Sequence, residues 1–161
     1  MERDARKSGA RPSLRTLGSV TMNIEHFISN LSKRPIEVRV GAPCGLDALD
    51  AASARLGSPL PEQLCSFYLH VNGLDVTDPA LQVLPIQELR RLGNGLVRFA
   101  TLDHRHHLAL DATSWNEAGQ WSVVSEATGY VVTLTIASFW SNKIFAWLDK
   151  KREIWSAEYA A

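Results

Sequence analysis

Long apolar runs are missing from this chain. Nowhere in its 161 residues does a stretch approach the roughly 20 apolar residues that a membrane-spanning helix requires, which argues against a membrane protein of that kind. Cysteine is scarce: Cys44 and Cys65 are the only two, and no signal-peptide-like segment points to an oxidising compartment. A disulfide framework is therefore excluded, and the pair reads as two buried thiols in a cytoplasmic protein. Neither a P-loop nor a GxGxxG fingerprint occurs, so no nucleotide-binding case arises. Charge of one sign is also lacking, with 17 basic and 17 acidic side chains. Without a concentrated basic face to neutralise phosphates, nucleic acid is not expected as a direct ligand.

What remains is an ordinary globular composition, 45% hydrophobic and 21% charged, in 17.8 kDa, enough for one self-sufficient core. The balanced charge conceals an asymmetry. Residues 1–21 carry Arg3, Arg6, Lys7, Arg11 and Arg15 against Glu2 and Asp4, whereas the remaining 140 residues hold 12 basic and 15 acidic side chains. The opening segment also contains Gly9, Pro12 and Gly18 and has no sustained periodicity. It is expected to be disordered or, if translation starts at Met22, a mis-assigned leader. Residues 22–161 are expected to form a single domain, whose mildly acidic character suits a basic protein partner.

The stretch Leu56–Leu74, LGSPLPEQLCSFYLHVNGL, organises the rest. Pro61 suits a first helical turn, Glu62 suits the positive end of the helix dipole, and Leu60, Leu64, Phe67, Tyr68 and Val71 form one apolar stripe. Asn72 and Gly73 provide the exit. Before this helix, Asn23 caps a first helix with Ile24, Phe27, Ile28 and Leu31 on its stripe, ended by Pro35. Ile36–Val40 alternates as an edge strand or extended linker, and Leu46, Leu49, Ser53 and Leu56 mark a second helix closed by Gly57.

From Leu81 the period changes. Leu81–Ile86 is a short apolar run containing Pro85, and Gln87–Leu92 reads as one helical turn. Val97, Phe99 and Thr101 alternate with Arg98, Ala100 and Leu102 and pair as a hairpin with His107–Asp111. Trp121–Ser125 and Tyr130–Thr135 make a second hairpin. A closing helix capped by Thr135 or Ser138 carries Phe139, Trp140, Ile144, Trp147 and Leu148, and Ile154–Ala161 reads as a loosely docked tail. The expected fold class is α+β, with N-terminal helices and a C-terminal helix packed on a mainly antiparallel meander sheet.

His104, His106 and His107 beside Asp103 form the one metal-like cluster, but a zinc site needs fixed ligands and an oriented outer shell, so a solvated turn is the favoured reading. Cys65 has no local histidine partner, and Glu117, Glu126, Asp103 and Asp111 lie in or beside turns where solvated carboxylates are normal. No catalytic residue, cofactor or metal is therefore assigned. The segment from Asp103 to Glu126 has four carboxylates against Arg105 alone, and Trp115 within it sits among polar turn residues as an interface anchor would. With Asp75 and Asp78 it forms the expected partner surface: Asp75, Asp78, Asp103, His104, Arg105, His106, Asp111, Trp115 and Glu117.

A leucine-glycine, a short gap, LPE, an FY pair inside the helix and a terminal NG resemble the signature of the SUKH superfamily, and IASFWSNKIFAWL is similar to its closing helix. The likeness extends in layout from about Asn23 to Leu148. It departs at Asp103-His104-Arg105-His106, where family members often have a Gly-rich turn, and only Asp111 fits the aspartate expected at a strand end. The resemblance implies a cytoplasmic, non-enzymatic immunity protein of a polymorphic toxin system that occludes a cognate toxin, a nuclease or other nucleic-acid-modifying enzyme. It identifies no particular toxin. The alternative is a regulatory or scaffold domain like the fungal cell-wall regulators, and a third reading is a small metal-dependent hydrolase using the histidines.

Overall fold

The computed structural model describes residues 23–157; the opening segment 1–21, the Met22 start and the last residues of the tail lie outside them. Asn23 caps helix α1 (Ile24–Ser32), its side-chain oxygen accepting the His26 N–H at 2.8 Å. Strand β1 (Glu37–Val40), helix α2 (Leu46–Leu56) and helix α3 (Glu62–His70) follow. The chain then runs through β2 (Leu74–Thr77), β3 (Leu81–Val83), a 3-10 turn at Ile86–Glu88, β4 (Leu96–Leu102), β5 (His106–Asp111), β6 (Ser122–Ser125) and β7 (Val131–Thr133). The seven strands form one antiparallel sheet in chain order. The architecture is the expected α+β meander, and among the described residues no helix is long and apolar enough to cross a membrane.

The closing helix covers one side of this sheet in three pieces: α4 (Ile136–Ser138), a π-helical turn (Phe139–Lys143) and α5 (Ile144–Lys150). Thr135 caps it, its hydroxyl oxygen accepting the Ser138 N–H. In the π turn the Ile144 N–H reaches back five residues to the Phe139 carbonyl, which brings Phe139, Trp140, Ile144 and Trp147 onto one buried face. Trp140 is the hub of the core. Its ring stacks on Phe67 of α3 at 5.1 Å and lies 4.8 Å from Phe27 of α1 and 6.4 Å from Phe99 of β4.

The stretch Leu56–Leu74 carries specific ties. Leu60, Leu64, Phe67, Tyr68 and Val71 are all buried, the Tyr68 hydroxyl donates to the Leu84 carbonyl at 2.6 Å, and burial pushes its ionisation far above the usual range. The Asn72 side chain accepts the Ile86 N–H and donates to Gln87, clamping the connection after β3. Gln63 accepts the Ala137 N–H at 2.8 Å, joining α3 to the start of the closing helix.

Four expectations are corrected. The buried face of α2 is Leu49, Ala52 and Leu56, while Leu46 is 68% exposed because it stands in the first turn, beyond the end of the core. A β-bulge at Phe99 switches β4 in phase, so Ala100 and Leu102 face the core and Thr101 faces away. The tail is anchored at its start, residues beyond 157 lying outside the described ones: Ile154 is completely buried and Trp155 packs against His106, since the left-handed turn at Lys151 folds the chain back onto the sheet. Cys44 and Cys65 are half-buried rather than buried.

Candidate functional site

A β-strand presents alternate side chains to opposite faces, and here the helices cover one face only. Leu74, Val76, Leu81, Val83, Val97, Ala100 and Leu102 point into the core. The intervening residues build a polar row across five strands, in which Arg39 of β1 stands opposite Asp75, Asp75 opposite Gln82, Gln82 opposite Thr101, and Thr101 opposite His107. This open face holds a cleft of about 570 Å³ lined by Glu37, Arg39, Asp75, Thr77, Asp78, Gln82, Arg98, Thr101, His104 and His107.

The cleft is braced at two points. The Thr101 hydroxyl and His107 Nδ1 share a hydrogen bond of 2.9 Å. Arg98 reaches over β5 to Glu126 in a bidentate pair, Nε to Oε2 at 2.8 Å and a terminal nitrogen to Oε1 at 2.5 Å. The Arg98 guanidinium holds the Glu126 carboxyl below its usual range, and the carboxylate in turn raises Arg98. By contrast, no cationic nitrogen lies within 4.0 Å of the Glu37, Asp75 or Asp78 carboxylates among the described residues.

The nine residues expected at a partner surface divide into two groups. Asp78 sits at φ 54° in the β2–β3 connection, and Asp103 and His104, at φ 53° and 62°, form the β4–β5 turn. The two connections adjoin, the Asp103 N–H donating to the Ala80 carbonyl at 2.8 Å. Asp75, Asp78, Asp103, His104, Arg105 and His106 are thus at one end of the sheet. Asp111, Trp115 and Glu117 lie at the other, five residue steps along β5 and so about 17 Å away. There Asp111 accepts the Thr113 N–H and hydroxyl, closing a local turn. Glu117 is exposed. Trp115 is 42% exposed, its ring 5.7 Å from the buried Trp121.

The histidines do not converge. His104 and His107 border the open-face cleft, whereas His106 faces the helix side and stacks on Trp155, ring centroids 3.8 Å apart and 14° from parallel. Burial there, with Arg105 and His107 nearby, lowers the His106 pKa against the opposing pull of Asp103 and Glu153. Among the described residues no group of three or more His, Cys, Asp or Glu side chains is placed to hold a metal ion.

Several cleft residues escaped the sequence reading. Glu37 and Arg39 belonged to an alternating segment whose neighbour was unknown. Gln82, Arg98 and Thr101 became identifiable only once strand register and the bulge at Phe99 had set their direction. Neither the protein-family models nor the curated proteins yield a match to this chain.

Proposed function

We propose that this chain is an immunity protein, a binder without chemistry of its own that occupies the active site or substrate path of a cognate toxin in the cytoplasm. The family likeness of the LPE helix and the closing helix suggests the class, and a nuclease or other nucleic-acid-modifying enzyme is the toxin it favours. The observation that carries the reading is the uncovered polar face: a row of charged and hydrogen-bonding side chains on a seven-stranded sheet, held from behind by a continuous aromatic core. Such a face is displayed with little conformational entropy left to lose on binding. Its carboxylates, which have no cation within 4.0 Å among the described residues, suit a surface shaped to hold phosphate.

Co-expression with a toxin encoded by a neighbouring gene tests the reading. Cells carrying both are expected to survive, and equal killing with and without this protein would refute the proposal. Capture of several signalling or biosynthetic proteins in place of one toxin would favour the regulatory or scaffold alternative.

A further inference from the structure

We propose that β1 and the adjoining cleft form a strand-addition site for an extended segment in which basic and apolar residues alternate. The assignment rests on reading the chain as a protein binder and names the part of the partner that it holds.

The first support is the backbone. Arg39 stands opposite Asp75, and the Gly41 N–H continues the ladder to the Gly73 carbonyl, so Glu37, Arg39 and Gly41 are the β1 residues bonded to β2. By the alternation of an antiparallel ladder, the N–H and C=O groups of Val38 and Val40 point away from the sheet. No other hydrogen bond to them occurs among the described residues. The edge is short, four residues with Glu37 and Arg39 among them, but no proline, lysine or bulge interrupts it.

The second support is what flanks the edge. On the helix side Val40 is 45% exposed, an apolar surface for alternate side chains of an added strand. On the open side the same strand would direct its other side chains toward Glu37 and, one strand further in, Asp75. Among the described residues neither carboxylate has a cation within 4.0 Å. Of the arginines lining the cleft, Arg98 is committed to Glu126, which leaves Arg39 against three carboxylates with Asp78. An incoming guanidinium or ammonium group meets an excess of acceptors, with the Gln82 amide beyond.

Titration of the full-length protein with a blocked eight-residue peptide of alternating arginine and valine, followed by two-dimensional amide NMR, tests the site. The largest shifts are expected at Val38 and Val40, and weaker binding at higher salt. A Glu37→Gln, Asp75→Asn double variant, whose fold is checked by its unperturbed core resonances, should bind about tenfold more weakly. Equal binding of a glutamate–valine peptide, shifts confined to other strands, or unchanged affinity of the double variant would each overturn the site. Peptide-independent self-association that broadens the β1 resonances would make a second copy the occupant and overturn it as well. If the double variant still protects cells from the toxin as the parent does, the strand-addition site fails while the immunity reading stands. Peptide binding as described without protection from any toxin would leave the site and remove the immunity reading.

Discussion

The two faces of the sheet are built from the same strands and governed by opposite requirements. Behind Leu81, Val97 and Leu102 the helices leave no solvent, and Trp140 meets rings from α1, α3 and β4. In front, Glu37, Asp75, Gln82 and Thr101 meet water. Packing determines what is tolerated behind, whereas at the exposed positions in front solvation and neighbouring charge determine it. The open face can therefore be substituted at its exposed positions without disturbing the core.

The sharpest break in that comparison is a matched pair of variants. Phe67→Ala removes a ring stacked on Trp140 and should lower the unfolding free energy by ~3–5 kcal/mol in urea titration, whereas Gln82→Ala in front should stay within ~0.5 kcal/mol. Equal losses would show that the open face is part of the packing. Next in size is Gly73→Ala. Gly73 has φ +88°, and an added Cβ would lie 2.7 Å from the Val83 carbonyl oxygen, so a loss of at least ~1 kcal/mol is expected by the same titration. Tyr68→Phe keeps the buried ring and deletes only its bond to the Leu84 carbonyl. A loss of about 1 kcal/mol in thermal unfolding would separate that bond from the packing.

The smallest effect belongs to the front. Because Arg98 lowers the Glu126 pKa, the pair's contribution is present above the usual value near 4.5 and is lost as pH falls through the lower folded-state value. Arg98 is 39% exposed and screened, so Glu126→Gln should cost under about 1 kcal/mol at pH 7 and progressively less as pH falls through the folded-state value. A difference that persists in acid would mean that Glu126 acts through packing instead.

Much of the rear face was legible in the chain because helical stripes are long enough to average out exceptions. Phe67, Tyr68 and Val71 follow one period, Asn23 and Thr135 cap as expected, and Phe139 to Ile144 already show the five-residue step that a π turn accommodates. The front was harder to read. Strand β2 is four residues long, and its alternation of Leu74 and Val76 with Asp75 and Thr77 was hidden behind the helix exit at Gly73. One extra residue at Phe99 reversed the direction assigned to Thr101. Asp111, Trp115 and Glu117 were grouped with Asp103 by proximity in sequence, which a strand converts into separation in space.

The sheet's strand order repeats the order in which the ribosome would deliver the strands. After β2, each new strand finds its partner already made and no more than about a dozen residues back along the chain, so closure entropy is spread over several steps. The closing helix, which supplies Trp140 and Trp147 to the core, follows all seven strands. A nascent chain that has finished its meander would therefore still have an unsealed rear face, and the emergence of this helix would convert a paired sheet into a closed molecule.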